Sequence, residues 1–170
     1  MMKRRAEIVF AGLRAVVYVT GFVSLVAWLA LSVRINDKRL NLGWPGWTAI
    51  PGSILVVAGG LVILACAGVF VLRGRGTPAA FDPPREFVVI GPYKYNRNPM
   101  YVGACAVLVG FGLFDHSISI LLFSLVFLLL LHLFVVLFEE PDLKRRFGTA
   151  YEDYCKATPR WIPRFDSPKR

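Results

Sequence analysis

Histidine and cysteine are scarce in this chain. It has two histidines, His116 and His132, and three cysteines, Cys66, Cys105 and Cys155. The histidines stand far apart and near no carboxylate cluster, and no C-x-x-C spacing links the cysteines, so neither a metal site nor a disulfide framework is expected. No G-x-G-x-x-G stretch follows a strand-like segment, which excludes the usual dinucleotide fingerprint. Acidic residues number 11 against 20 Lys and Arg, a formal net charge of +9. That excess would suit a nucleic acid, but the cations sit in the gaps between apolar runs, and no basic soluble domain remains to bind one. Cations beside apolar runs belong to membrane interfaces.

What is abundant is apolar sequence. Of the 170 residues, 56% are hydrophobic, and a spanning helix needs about 20 predominantly apolar residues. The pattern predicts an all-α, polytopic membrane protein in a single domain, 1–170, with about four transmembrane helices and a cytoplasmic helical tail. The first helix is expected over Ala15–Val33 and the second over Pro51–Leu72, whose Gly52, Gly59, Gly60 and Gly68 would permit close helix approach. A polar, Gly- and Pro-rich connection, 73–98, leads to a shorter run, Met100–Phe114. Asp115-His116-Ser117 breaks the pattern, and a fourth run, Ile118–Phe138, completes a helical hairpin. In the tail, Gly148 is expected to close one helix, and Thr149-x-x-Glu152 reads as a capping box for the next. Excluding Arg14, sixteen Lys and Arg fall in the N-terminal segment, the 73–98 connection and the tail, against Arg34, Lys38 and Arg39 on the other side. The positive-inside rule then places both termini in the cytoplasm, in a cell inner membrane.

Two stretches carry more chemistry than membrane insertion needs. In Gly91–Gly103, GPYKYNRNPMYVG, Asn98 is a favoured N-cap and Pro99 suits a first helical position. A helix N-terminus beside Arg97 offers N–H groups and positive charge to an anionic group. Glu139-Glu140 ends a long apolar helix, where carboxylates are unfavourable and cations are preferred. Pro141 follows, so the helix is expected to break or kink there. The two acids call for positive partners, either Arg97, Lys144, Arg145 and Arg146 or a cationic ligand. The orientation places both stretches on one membrane face.

Residues Gly91, Pro92, Tyr93, Tyr95, Arg97, Pro99, Tyr101 and Gly103, followed after a hydrophobic hairpin by Glu139, Glu140, Leu143, Phe147, Gly148, Tyr151, Tyr154, Pro159, Arg160 and Pro163, carry a resemblance. Over about 85–165 the pattern resembles the isoprenylcysteine carboxyl methyltransferase family, which is related to the membrane phospholipid N-methyltransferases. The resemblance implies a membrane enzyme using S-adenosyl-L-methionine without a Rossmann domain. It implies cofactor contacts from Arg97, Asn98, Pro99, Met100, Tyr101 and Glu139, with Phe111 and Gly112 lining the pocket. Glu140 is the candidate base, and Arg160 a candidate cation for the acceptor. The implied acceptor is a lipophilic small molecule or lipidated substrate entering from the bilayer, with membrane lipids around it.

Two positions depart from that pattern. Asn98 stands where the family keeps a histidine, and it cannot carry a proton. Val135 stands where prenylcysteine enzymes place an arginine. A lean towards an acceptor that needs no deprotonation follows. Sterol reductases have a similar C-terminal pattern, so a nicotinamide-dependent lipid reductase is the alternative enzyme reading. A non-catalytic membrane scaffold is the alternative outside enzymes.

Overall fold

The computed structural model describes residues 2–40, 46–69 and 89–164, and those residues form helices joined by short turns, with no strand among them. α1 covers Met2–Leu40, and α2 covers Ala49–Val69 after a tight turn at Gly46–Thr48. A single turn, Gly91–Lys94, precedes α3, Pro99–Phe114. α4 covers Ile118–Phe134 and continues through a widened turn, Val135–Glu139, into α5, Glu140–Phe147, after which α6 covers Thr149–Ala157. The stretches Gly12–Lys38, Gly46–Val69 and Ile118–Phe147 are long and apolar enough to cross a membrane, and Pro99–Phe114 is a shorter apolar helix. Their outward faces carry exposed Leu61, Leu64, Leu125, Leu129 and Phe138, as a lipid solvent allows. The chain is a polytopic helical membrane protein.

The tightest contact joins α2 to α3, and glycine makes it possible. A Cβ on Gly59 would stand 2.5 Å from the Gly103 carbonyl oxygen, and one on Gly52 would stand 2.6 Å from the Phe114 nitrogen and 2.7 Å from the Gly110 oxygen. Gly52 meets the late part of α3 and Gly59 the early part, so the helices run antiparallel. Each contributes two glycines seven residues apart to one seam. Among the described residues, nothing lies within 4 Å of a Cβ built on Gly60, and the same holds for Gly68. Only half of the α2 glycines therefore serve helix approach.

α1 joins through α4. Ala30, Leu108 and Ile120 form a buried cluster with Val26, Val33, Phe111, Phe123 and Phe127 around it, and Phe22 meets Phe127 with ring centroids 6.2 Å apart. At the end of the bundle where α3 turns into α4, polar groups close the structure. Asp37 on α1 accepts from the Ser117 hydroxyl and from the Ser119 N–H at 2.9 Å. Ser117 Oγ also accepts from the Ile120 N–H at 3.1 Å, so the α4 N-terminus is capped twice. Arg34 pairs with Asp115. Thr48 donates to the Leu113 carbonyl at 2.9 Å, within reach of Nδ1 of His116, which takes a left-handed φ of 55° to turn the chain.

Several expectations need correction. α1 is longer than 15–33 and includes Arg34 to Leu40, because nothing there breaks a helix and Asp37 finds its partners on α4. Helix α2 starts two residues before Pro51; its expected end, with 73–88 of the connection, lies outside the described residues. Pro141 ends nothing. The helix widens just before it and continues to Phe147, which absorbs the missing N–H and the clash of the ring with the carbonyl four residues back. Gly148 does close α5, with φ 53°. Thr149 is no cap: Gly148 holds the N-cap position of α6, and Glu152 pairs instead with Lys144 Nζ at 2.8 Å.

Candidate functional site

The end of the bundle opposite the α3–α4 turn gathers both motif stretches. There α3 begins, α4 widens and gives way to α5, and the segment after α6 returns across them. That returning segment, Thr158 to Arg164, is a strap tied to the loop before α3. The Arg97 N–H donates to the Pro159 carbonyl at 2.9 Å, and the Arg164 N–H to the Tyr95 carbonyl at 3.0 Å. Asn96, almost wholly buried, donates from Nδ2 to the Trp161 carbonyl, while its Oδ1 accepts from the Asn98 N–H at 2.5 Å. Asn98 Nδ2 donates to the Arg160 carbonyl at 3.2 Å. From α6, the Tyr154 hydroxyl donates to the Tyr93 carbonyl at 2.6 Å.

Asn98 and Pro99 do start α3, but the Asn98 side chain makes no cap hydrogen bond, because it is turned to the strap. Pro99 has no N–H and the Val102 N–H already donates to the Asn98 carbonyl at 3.1 Å, so among the described residues the first-turn N–H groups without a side-chain cap are those of Met100 and Tyr101. Arg97 lies beside them. Its Nη1 stands 3.1 Å from Glu140 Oε1 and also contacts Cys155 Sγ, while its buried Nε has no hydrogen-bond partner among the described residues.

The two glutamates are held differently. Glu140 receives Arg160 in a two-pronged contact, Nε to Oε1 at 2.7 Å and Nη2 to Oε2 at 2.9 Å, with Arg97 on Oε1 as well. Both its oxygens are engaged by guanidinium groups, the strong bidentate arrangement. Hydrogen bonding to Glu140 in turn pushes the Arg160 guanidinium up from its ordinary value. Glu139 instead accepts from the Tyr101 hydroxyl at 2.9 Å, and among the described residues no cation pairs with it. The site thus presents one carboxylate free of arginine beside a buried guanidinium nitrogen and an uncapped helix start.

Of the residues singled out in sequence, Arg97, Asn98, Pro99, Tyr101, Glu139, Glu140 and Arg160 come together here, and Met100 lies in the same first turn of α3. Phe111 and Gly112 do not. They lie toward the other end of α3, roughly 15 Å along the axis from Tyr101 at 1.5 Å per residue. Phe111 packs on the Ala30–Leu108–Ile120 cluster. A Cβ on Gly112 would stand 2.9 Å from Leu121. Both serve the hairpin. Val135 is fully buried at the start of the widened turn. Sequence reasoning missed Asn96 and the Trp161–His132 contact, in which Trp161 Nε1 lies 3.1 Å from His132 Nδ1. Asn96 sits within the motif, but its neighbours Tyr95 and Arg97 carry the pattern.

Burial pushes the Tyr154 phenol well above its ordinary value, and Tyr93 and Tyr151 are raised by burial as well. These phenols are neutral in the fold and ionise readily only when it opens, so their contribution is complete below about pH 10 and is lost as pH rises beyond it. Tyr154→Phe is expected to cost about 1–3 kcal/mol near neutrality, because the buried Tyr93 carbonyl loses its donor. It should also reduce the alkaline loss of stability. Thermal unfolding in detergent from pH 7 to 11 checks both effects.

A family model described as phospholipid methyltransferase matches residues 47–150, more than half of the chain. The match runs from the turn before α2 to the start of α6 and so includes both glutamates and the α3 N-terminus. Among curated proteins, the nickel-cobalt-cadmium resistance protein NccN of Alcaligenes xylosoxydans xylosoxydans is 33% identical over 79 residues, which are 46% of this chain. The chain spans 37% of the length of that relative. Among the described residues, no three His, Cys, Asp or Glu side chains are grouped so as to hold a metal ion.

Proposed function

The chain belongs to the phospholipid methyltransferase family, and from that premise we propose that it transfers a methyl group from S-adenosylmethionine to a lipophilic acceptor. The transfer takes place at the membrane face carrying the 91–98 loop and the strap. The observation that carries this reading is the unequal treatment of the two glutamates. Among the described residues no cation pairs with Glu139, while Glu140 holds two.

The donor set fits the proposed cofactor. Its amino-acid end is zwitterionic and its sulfonium is cationic. Glu139 suits the positive groups, while the buried Arg97 Nε and the N–H groups of Met100 and Tyr101 in the first turn of α3 suit a carboxylate. Pro99, Met100 and Tyr101 supply that first turn, and Asn98 orients it through the strap. When bound, S-adenosylmethionine would supply an electrophilic methyl group: a lone pair of the acceptor would bond to the methyl carbon in line as the carbon–sulfur bond breaks, with neutral S-adenosylhomocysteine as the leaving group. The chain's own contribution is positioning and exclusion of water. Glu140, with both oxygens engaged, acts as a strut between Arg97 and Arg160 and not as a base. Asn98 cannot carry a proton. The acceptor therefore arrives with its lone pair ready, as an ionised carboxylate or as a neutral amine or thiol. It enters from the bilayer, and both termini lie on the cytoplasmic side of the cell inner membrane.

The test is transfer of a labelled methyl group from S-adenosylmethionine to total membrane lipids or prenylated peptides by the purified chain. Label in the lipid or peptide fraction is expected, and the labelled fraction identifies the acceptor class. No label in either, from folded protein, contradicts the reading.

A further inference from the structure

Two consecutive strap residues grip the long helix at two separate places. Arg160 holds Glu140 through both carboxylate oxygens. Trp161 turns the other way along the helix and reaches His132, with ring centroids 5.9 Å apart and planes inclined at 45°. An indole N–H can only donate, so Nδ1 of His132 accepts at 3.1 Å and the ring carries its proton on Nε2. The whole widened turn, Val135–Glu139, lies between these two grips.

Such a turn is rare, and one inside an α-helix inserts the equivalent of an extra residue. Each α-helical residue advances the direction of side chains by roughly 100°, as 3.6 residues make a turn. Should the widened turn relax to regular α-helix, Glu139 and Glu140 would swing by up to that angle relative to α4. Glu139 would then leave Tyr101. The strap that grips both sides of the turn is itself fixed from behind, by Asn96 on the Trp161 carbonyl and Asn98 on the Arg160 carbonyl.

We infer that Trp161 and His132 are a positioning pair: their hydrogen bond holds the widened turn in the register that aims Glu139 into the site. The inference rests on the cofactor reading above, in which Glu139 faces the cofactor's positive groups. Neither residue touches the cofactor. They act through the backbone of the turn.

The test uses full-length protein in detergent and S-adenosylhomocysteine as the titrated probe. Trp161→Phe keeps the ring and removes the N–H, and His132→Leu removes the acceptor. His132→Gln returns an acceptor on a chain of similar reach. Each of the first two is expected to weaken binding roughly fivefold, the value of one hydrogen bond. The double variant Trp161→Phe/His132→Leu should be no weaker than either single variant, since both remove the same contact. His132→Gln should bind close to wild type. Amide hydrogen exchange at 135–139 should quicken in Trp161→Phe and His132→Leu, with the melting temperature changed little. A plain tail anchor would leave affinity unmoved. The inference is overturned if the single variants bind like wild type, if their effects add, or if His132→Gln behaves as His132→Leu does. Wild-type protein that binds no S-adenosylhomocysteine overturns the cofactor reading and this role with it; unaffected variants of a binding wild type overturn this role alone.

Discussion

Glu139→Gln weakens the binding of S-adenosylhomocysteine by about 10- to 100-fold and leaves the melting temperature nearly unchanged. The magnitude is that of one charge-assisted hydrogen bond, about 1.5–3 kcal/mol. Glutamine keeps the shape of the side chain and can still accept from the Tyr101 hydroxyl, so the local structure has no reason to collapse. Only the negative charge is lost, and among the described residues no cation is left stranded by its loss. The neighbouring Glu140→Gln has the opposite profile. Its carboxylate sits between Arg97 and Arg160, with side chains 12% and 32% exposed. Removing the charge leaves two partly buried guanidinium groups facing each other. A loss of about 2–4 kcal/mol in stability is expected, somewhat below a fully buried pair because Arg160 retains access to water. Adjacent residues, one change of charge each, thus separate into a binding defect and a folding defect. Calorimetric titration and thermal unfolding on both variants check the pair, and equal loss of stability in the two would refute the division of labour between them.

Gly59→Ala unfolds the α2–α3 seam, whereas Gly60→Ala does not. The Cβ added at position 59 would stand 2.5 Å from the Gly103 oxygen and 3.0 Å from the Val107 nitrogen, both of them backbone atoms that cannot rotate aside. The helices must separate, and packing is lost along α2 down to the Gly52–Gly110 contact. A cost of about 3 kcal/mol or more is expected, at the upper end for overpacking because the opposing atoms are main chain. At position 60 nothing among the described residues lies within 4 Å, and alanine favours the helix by up to about 1 kcal/mol. The same methyl group, moved by one residue, changes the sign of the effect. Helical content followed through thermal unfolding in detergent measures both. Because the start of α3 bears the motif, Gly59→Ala should also weaken S-adenosylhomocysteine binding.

The apolar runs gave the helices, and the break at Asp115-His116-Ser117 placed the hairpin turn to the residue, since polar groups interrupt a lipid-facing run only where it turns. The meeting of the two motif stretches at one end of the bundle followed from counting spans. The pairing of glycines did not. α2 is apolar on every face, so no polar side marks the one turned to α3, although the seven-residue spacings of Gly52 with Gly59 and of Gly103 with Gly110 held the signal. The roles within the site were legible in part. From the sequence the carboxylate pair could meet either nearby cations or a cationic ligand, and the structure shows Glu140 with two arginines. Which glutamate holds the arginines depends on the widened turn, and that turn in turn depends on contacts from a strap more than twenty residues away in the chain. Asn98 shows the same dependence. Local preference makes it a cap, and the strap carbonyl of Arg160 takes its side chain instead.

The most direct measurement is titration of S-adenosylhomocysteine into the detergent-purified full chain. The account predicts saturable binding at one site per chain, with the heat lost or strongly reduced for Glu139→Gln. Absence of any binding by protein of full helical content would contradict it, as would binding of a reduced nicotinamide dinucleotide in its place.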